Sequence, residues 1–309
     1  MLPILEAGEE TLVGGQAVME GVMMRAPHSY CVAVRKPDGQ MVTSEMPVKR
    51  ISEQHKIFRY PVLRGLGTLY QALALGTKAL QFSALESVDD PELNKQEVGG
   101  WVTALPVIFS LLFFLFLYKA VPLYLVTKLA KVYPVFEGQL LSALVDSVIR
   151  LTILLTLLYC LSRLKDMRRM FQYHGAEHKV VFNFESGQPV TVENAQRFTT
   201  FHPRCGTSFL VVIFLLTFPV YALIPFTGFA AKLAARVVLL PLLIGVTYEL
   251  IFYAARRRGS FLALLTAPGL WTQRITTKPP SDDQAEVAIH ALDGAMALEK
   301  SQGGQLVIA

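Results

Sequence analysis

Charged residues are scarce in this chain of 309 residues: Asp, Glu, Lys and Arg make up only 17% of it. Soluble domains usually carry about a quarter of charged residues. Hydrophobic residues account for 52% of the sequence, and the mean hydropathy is +0.41. The deficit of charge is concentrated in four long apolar stretches. An ordinary cytosolic globule and a disordered chain are therefore both excluded, and the sequence predicts a protein integral to a membrane.

Cysteine is also rare, and the sequence lacks two further signals. Cys31, Cys160 and Cys205 are odd in number and scattered, so no disulfide framework is expected, and Cys160 is interpreted as a small buried hydrophobe. No basic tract interleaved with aromatics is present, so the net charge of +5 does not indicate a nucleic-acid partner. The N-terminal residues are acidic and no apolar core follows them, which argues against a signal peptide.

Four segments have the apolar character and length of a membrane-spanning helix, which needs about 20 residues. They cover residues 101–126, 139–161, 208–231 and 233–255. Another apolar stretch, 61–85, has near-helical spacing with few charges, and it predicts a helix that lies on or dips into the interface. A complete crossing by this helix stays open.

The loops between these segments predict an orientation. Segment 162–207 holds seven basic residues and the tail begins with three arginines at 256–258, whereas the other two connections hold two basic residues each. The positive-inside rule places the N-terminus, the 162–207 loop and the tail in the cytoplasm. We therefore expect a multi-pass protein with both termini cytoplasmic.

Two regions outside the apolar segments have recognisable local signals. Tyr30 to Arg35 and residues 40–44 flank the turn Lys36-Pro37-Asp38-Gly39, which predicts a β-hairpin. Ahead of it, the string 14–21 packs three glycines around Glu20. This string predicts a tight backbone path and fits neither a P-loop nor a dinucleotide-binding fingerprint.

The tail is predicted to have two elements. Residues 261–271 look interfacial, and we expect Pro268-Gly269 to break the helix there. Ser281 and Gln284 form a capping box for a short amphipathic helix over 282–299.

The strongest chemical signal is the string 173–179, Tyr-His-Gly-Ala-Glu-His-Lys. His174 and His178 lie four residues apart, about 40° around a helix, so both imidazoles can face one ion. Glu177 is adjacent, and the order His-x-x-Glu-His is the inverted zincin pattern. In that chemistry zinc lowers the pKa of its bound water, and the carboxylate takes the proton.

Two histidines do not complete such a site, so further ligands are needed. His202 and Cys205 supply an imidazole and a thiolate around a turn, a spacing that is used repeatedly for zinc. Glu193 and Glu185 are the oxygen-ligand alternatives. A site that used all four nitrogen and sulfur ligands would be closed and typical of structural zinc, whereas catalysis requires an open position.

The stretch between the two ligand pairs predicts how they meet. A strand over 179–184, a turn at 185–188 and a short helix capped by Thr191 would bring the second pair back onto the first. His28 and Cys31 have a similar spacing but no neighbouring ligands, so we interpret them as structural.

The predicted membrane segments contain Asp146, Arg150 and Glu249, and an ionised group in such a segment costs at least about 2.5–3.5 kcal/mol. Asp146 and Arg150 lie on one helical face, and a mutual ion pair is the preferred interpretation, with a transport pathway as the lesser one. Glu249 lies near the cytoplasmic end of its segment. It either faces the metal loop or is hydrated or paired with Arg256.

Several strings in this order resemble the YqhQ-like family of bacterial membrane proteins, a family of unknown function described as predicted metal-dependent enzymes. The strings cover residues 14–25, 173–179, 191–194, 202–209, 248–249, 267–273 and 286–289. The resemblance implies the inner (cytoplasmic) membrane of a bacterial cell and a metal site, and it supplies no substrate. It also raises the expectation that Glu20, Arg25 and Gln273 border the same site.

The predicted fold is an α-helical integral membrane protein with four transmembrane helices, an interfacial helix and a small α+β cytoplasmic part. Its divisions are a cytoplasmic N-terminal region with the β-hairpin at 1–60, the interfacial helix and a linker at 61–97, transmembrane helices one and two at 98–164, the cytoplasmic metal-site loop at 165–207, transmembrane helices three and four at 208–256, and a cytoplasmic interfacial tail with a short helix at 257–309.

The predicted function is metal-dependent hydrolysis at the cytoplasmic face of the membrane. His174 and His178 would be ligands, His202 or Cys205 would complete the shell, and Glu177 would be the general base. The mixed nitrogen and sulfur ligands favour zinc over magnesium or calcium, with iron left open. The lipid bilayer is the expected partner, and a peptide segment or a lipid-linked ester is the expected substrate. The alternative function is a non-catalytic scaffold or transporter with a structural metal.

Overall fold

The computed structural model describes residues 13–88, 100–203, 205–256 and 261–301. Most of the linker predicted before residue 97, together with Arg204 and the arginines at 257 and 258, lies outside the described residues. The described part is mostly helical and contains one small antiparallel sheet.

The sheet has four strands in the order β1-β2-β3-β4, each antiparallel to its neighbour. They are β1 Gly14–Val18, β2 Gly21–Arg25, β3 Ser29–Arg35 and β4 Met41–Pro47. The predicted hairpin is confirmed, because β3 pairs with β4 and Arg35 lies opposite Met41. Gly39 has a φ of 86° in the connecting turn, a conformation that glycine adopts without steric cost.

The glycine-rich string forms the preceding hairpin between β1 and β2, with Val18 opposite Gly21. Glu20 has a φ of 51° in its turn, in the sparsely populated left-handed region. A Cβ atom added to Gly21 would lie 2.2 Å from the Ala33 carbonyl oxygen. Because that distance is far below van der Waals contact, only glycine lets β2 lie this close to β3.

Both faces of the sheet are covered by helices, so β3 is buried from both sides. One face packs on α2, Leu63–Glu86, and the other packs on α6, Lys165–Glu185, and α12, Asp282–Ser301. Alternate residues such as Val32 and Ala33 point to opposite faces, as the pleat requires. We call the four strands with these three helices the sheet module.

The remaining elements connect or extend the sheet module. The helices are α1 Ile51–Gln54, α3 Gly100–Leu115, α4 Val121–Val132, α5 Gln139–Leu161, α7 Val192–Gln196, α8 Gly206–Ala222, α9 Phe229–Val238, α10 Leu240–Arg256 and α11 Phe261–Thr276. A π-helical turn, Phe116–Ala120, joins α3 to α4, and short 3-10 turns occupy Lys56–Arg59 and Pro134–Glu137. We call α3, α4, α5, α8, α9 and α10 the apolar bundle.

Two helices of the apolar bundle are long and apolar enough to cross a membrane, Leu105–Val132 and Gln139–Leu161. The pair α9–α10 reaches that length only across a bend of 44°, which would make a third span. The prediction of four full spans is therefore reduced to two or three among the described residues. The third predicted segment ends early because α8 stops at Ala222, shortly before Pro225, and Cys160 on α5 is exposed rather than buried.

The strand predicted over 179–184 is wrong, since these residues continue α6. The β-branched pair Val180-Val181 favours a strand locally, but Tyr173, Ala176 and Val180 recur at helical spacing and all face the sheet. Burial of that stripe outweighs the weak local preference. The turn after α6 and the Thr191 cap of α7 are confirmed, and the Thr191 hydroxyl accepts from the Asn194 N–H at 3.2 Å.

The predicted break at Pro268 is also wrong, because α11 continues through it to Thr276. The capping box that starts α12 is confirmed. The Gln284 N–H donates to Ser281 Oγ at 3.4 Å, and the Ser281 N–H donates to Gln284 Oε1 at 3.0 Å.

Candidate metal centre

His174 and His178 lie one turn apart on α6 in an edge-to-face arrangement, with ring centroids separated by 4.4 Å. Each ring bonds a backbone carbonyl through Nδ1: His174 donates to Thr276 at 2.8 Å and His178 donates to Thr200 at 2.5 Å. A carbonyl oxygen only accepts, so each neutral ring carries its proton on Nδ1 and keeps a lone pair on Nε2. This is the arrangement by which proteins orient histidine ligands toward a metal.

Cys205 joins the two histidines from the residue before α8. Its Sγ lies 3.3 Å from His174 Nε2. One ligand atom from each of His174, His178 and Cys205 lies within 4.8 Å of the other two. With Zn–N about 2.0 Å and Zn–S about 2.3 Å, ligands on a tetrahedral ion lie about 3.5 Å apart, so these three residues match the size of a zinc site. We call them the metal group.

Glu177 lies beside the metal group. Its Oε2 is 3.6 Å from His178 Nε2 and 3.9 Å from His174 Nε2, and its side chain is 8% exposed. Among the described residues, only these two imidazoles lie within ion-pair distance of the carboxylate, and a negative charge in so little-exposed a place is costly without a cationic partner. A cation between the carboxylate and the two lone pairs would supply that partner, so the residues present fit a metal ion.

Gly15 makes room for Glu177. A Cβ atom added to Gly15 would lie 2.6 Å from Glu177 Cγ and 2.8 Å from the Met23 carbonyl oxygen. The glycine-rich string therefore contributes to the site by its lack of a side chain, through β1.

His202 lies outside the metal group. Its ring packs on Phe182 at 4.5 Å and on His178 at 5.5 Å between centroids, and its Nε2 is 3.7 Å from Glu185 Oε2. The structure thus brings three of the four predicted nitrogen and sulfur ligands together and places the fourth behind His178.

Gln273 on α11 fixes the turn that presents Cys205. It accepts from the His202 N–H at 2.7 Å and donates to the His202 carbonyl at 2.8 Å and to Ser208 Oγ at 3.0 Å. Since Gln273 is fully buried, these bonds are shielded from water. Gln273 therefore borders the site as predicted, and its role there is to position the turn that carries Cys205.

Lys179 positions the loop after α7, which carries Thr200. Its ammonium donates to the carbonyl oxygens of Gln196 at 2.6 Å and Phe198 at 2.7 Å, just ahead of Thr200. Burial lowers the pKa of this amine from its ordinary value. The two bonds hold the segment after α7 against α6.

Gly175 was not expected to matter, yet the tail crosses α6 there. A Cβ atom added to Gly175 would lie 2.1 Å from the Lys278 carbonyl oxygen, and the Lys278 N–H donates to Phe171 O at 2.9 Å. This crossing delivers the Thr276 carbonyl to His174. The glycine between the two histidines is the sequence signal that could have indicated this close approach of the tail backbone to α6.

Two of the possible additional site residues lie away from the metal group, contrary to the prediction. Glu193 has a side chain that is 78% exposed and pairs with Arg197, since the short helix α7 turns it to the surface. Glu249 pairs with Arg64 at the start of α2 and accepts from the Val62 N–H at 3.1 Å. Val62 has a φ of 68°, an uncommon conformation for a β-branched residue, so Glu249 anchors a strained turn rather than facing the metal loop.

Arg25 and Glu20, two further possible additional residues, bond within the sheet module. Arg25 donates to Gln71 Oε1 on α2 at 2.6 Å. Glu20 pairs with Arg169 and accepts from the Tyr173 hydroxyl at 3.3 Å, next to His174 in sequence. Arg25 is therefore tied to α2, and Glu20 ties the first hairpin to α6.

A family model described as "Protein of unknown function (DUF1385)" matches residues 60–298 of the chain. The chain belongs to this family. The DUF1385 match contains all three residues of the metal group.

The "Uncharacterized protein YqhQ" of Bacillus subtilis (strain 168) is 36% identical to this DUF1385 protein over 297 residues, which cover 93% of this chain and 92% of that protein. No solved structure matches the chain. The predicted resemblance to the YqhQ-like family is confirmed, and the enzymatic activity stays a prediction.

Proposed function

We propose that this DUF1385 protein is a membrane-embedded hydrolase whose zinc ion is held by His174, His178 and Cys205. The observation that carries the proposal is the geometry around α6. Two histidines that bond carbonyls through Nδ1 lie with a thiol and a carboxylate whose only partners within ion-pair distance, among the described residues, are these two imidazoles. Mixed nitrogen and sulfur donors favour zinc over magnesium or calcium, with iron as the next choice.

A zinc ion in this place would polarise a substrate carbonyl and acidify water near neutral pH. Glu177 would accept the proton of the attacking water at Oε2 and return it to the leaving group. Thr200 and Thr276 would keep both imidazoles oriented through their carbonyl oxygens. His174, at 16% side-chain exposure, is the more exposed of the two histidines and marks the side on which a substrate would enter.

The location of the metal group supports a substrate at a membrane surface. Cys205 directly precedes α8, and α6 begins four residues after α5 ends at Leu161. We propose that α3–α4, α5, α8 and the bent pair α9–α10 embed in the bacterial inner membrane, with both termini and the metal group on the cytoplasmic side. This orientation follows the excess of basic residues in the 162–207 loop. A peptide segment of a membrane protein and a lipid-linked ester both carry the carbonyl that such a site would attack.

The first test is the metal content of full-length protein in detergent. We expect about one zinc ion per chain in the wild type and none after His178→Ala. His290→Ala, which changes an exposed histidine on α12, is the matched control and should keep the metal. Equal metal content in the wild type and His178→Ala would overturn the proposal.

The second test separates catalysis from a structural role. Glu177→Gln should keep the zinc and the thermal midpoint but lose hydrolysis of a reporter peptide or long-chain acyl ester by about 10²–10⁴-fold. A Glu177→Gln variant that keeps full activity would remove the general base from the proposal.

A non-catalytic scaffold is the second candidate, because the metal group has little solvent exposure. His178 is 2% exposed and Cys205 is 8% exposed, which resembles closed structural zinc sites. The scaffold would be favoured if His174→Ala unfolded the sheet module while Glu177→Gln behaved as wild type in every functional assay.

A further inference from the structure

The apolar bundle contains a cavity of about 220 Å³ at its end away from the metal group. Its polar lining includes Gln139, Tyr221, Lys232 and Arg236. A volume of this kind holds several water molecules or one small polar ligand. The helix α5 begins beside the cavity and ends beside α6, about 33 Å away along its axis, so the two sites are distinct.

Four charged residues are almost completely buried next to this cavity. Lys119, Asp146, Arg150 and Arg236 are 2%, 0%, 0% and 5% exposed. Asp146 pairs with Arg150, which confirms the predicted ion pair, and it also accepts from Arg236 at 2.7 Å. The cluster therefore holds three basic side chains and one carboxylate, which pairs with the two arginines, and this leaves an excess of two positive charges among the described residues of the cluster.

Tyr221 lies at the centre of these cations. The guanidinium carbons of Arg150 and Arg236 lie 4.4 and 4.6 Å from its ring centroid, and Lys119 donates to its hydroxyl at 2.8 Å. The face of an aromatic ring attracts cations but compensates less than a full countercharge does. The buried charge excess is therefore reduced by the ring and not removed.

The cluster and the cavity are connected through Tyr221 and Arg236, which belong to both. Lys232 lies four residues before Arg236 on α9, on the same helical face, and adds another cation to the lining. The lining also contains Glu137, which is exposed. Counting it with Lys232 leaves the excess of two positive charges unchanged.

We propose that this cavity binds a phosphate group, held by Arg236 and Lys232 and supported by Tyr221. A free phosphate dianion would balance the excess of two charges, and the singly charged phosphodiester of a lipid headgroup would balance one of them. Guanidinium and ammonium groups are the usual hydrogen-bond donors to phosphate in proteins. The proposed ligand is the phosphate group itself. This group can belong either to a free anion or to the headgroup of an anionic lipid. The proposal does not depend on the metal group.

The first arm of the test measures inorganic phosphate binding to the full-length protein in detergent by isothermal titration calorimetry. Lys232→Gln should weaken binding at least about tenfold, which equals about 1.4 kcal/mol, and Arg236→Gln should abolish it. Lys128→Gln is the matched control, because Lys128 is an exposed cation on α4 that lies over Tyr124. If Arg236→Gln fails to fold, the half-buried Lys232 decides the outcome.

The second arm identifies the source of the phosphate. Protein is reconstituted in vesicles of phosphatidylglycerol or of phosphatidylcholine, extracted, and analysed by native mass spectrometry for retained lipid. Retention of phosphatidylglycerol that Lys232→Gln reduces would assign a lipid headgroup, and binding of inorganic phosphate alone would assign a free anion. If neither ligand binds in a way that depends on Lys232 or Arg236, the proposal is overturned.

Discussion

The sheet module and the apolar bundle both bury polar side chains, but their partners differ. In the sheet module, His178 and Lys179 bond to backbone carbonyls at the end of α7 and in the loop that follows it. In the apolar bundle, Asp146, Arg150 and Arg236 bond to one another as ions. The buried polar groups of the sheet module are therefore stabilised only while the loop keeps its position. Those of the apolar bundle are stabilised only while positive and negative charges remain paired.

This comparison predicts that removing one charge from the apolar bundle has the largest effect. Asp146→Ala should leave Arg150 and Arg236 buried without their shared carboxylate, at a cost of about 3–5 kcal/mol. Thermal unfolding of the detergent-solubilised protein by circular dichroism would measure it. Glu137→Ala, an exposed carboxylate at the same end of the bundle, is the control, and an equal effect of both changes would contradict the ion-balance argument.

Displacing a loop in the sheet module should have the next largest effect. Gly175→Ala places a methyl group 2.1 Å from the Lys278 carbonyl oxygen, and such overpacking costs about 1–3 kcal/mol. The Thr276 carbonyl would move with that segment, so the affinity of the proposed site for zinc should fall as well. Gly14→Ala meets nothing within 4 Å and should be neutral in the same unfolding and metal-binding measurements. A tolerated Gly175→Ala would show that the tail can shift freely.

Removing the hydrogen bonds that fix the Cys205 turn should have a somewhat smaller effect. Gln273→Leu keeps the volume but leaves the backbone N–H and carbonyl of His202 without this partner, at a cost of about 1–2 kcal/mol. Weaker zinc binding in a competition assay with a chelator would report the movement of Cys205. Gln188→Leu, at an exposed position, is the control. Unchanged zinc affinity in Gln273→Leu would mean that the turn is held by other contacts.

The smallest predicted effect is a pH dependence at the edge of the sheet module. His28 bonds Glu53 and Glu299, and these bonds raise the pKa of its imidazole above the ordinary value. A raised folded-state pKa stabilises the fold at pH values below the ordinary pKa, and this contribution is lost as pH rises through the folded value. Wild type should therefore exceed His28→Gln in thermal midpoint more at about pH 6 than at about pH 9. The control is His55→Gln, which changes an exposed histidine and should show no such difference. If the difference in thermal midpoint between wild type and His28→Gln grew as the pH rises, the prediction would be wrong.

Local sequence patterns predicted several elements of the fold correctly. The turn at Lys36–Gly39, the Thr191 cap, the Ser281 capping box and the Asp146–Arg150 pair all depend on residues within a few positions of one another. These are the interactions whose geometry the chain fixes without distant partners.

The wrong predictions share a different cause. Residues 179–184 form a helix because one stripe of α6 packs on a sheet from the other end of the chain. The pairing of Glu249 with Arg64 joins residues that are 185 positions apart. Local propensity is outweighed in both places by contacts that sequence periodicity does not report.

The sequence by itself determined the apolar stretches, the hairpin and the one-turn spacing of His174 and His178, because each follows from periodicity or adjacent residues. Only the tertiary structure decided that Cys205 rather than His202 joins the two histidines. The reason is physical: Gln273 and the Thr276 carbonyl come from α11, the Thr200 carbonyl comes from the loop after α7, and together they orient the rings and the turn.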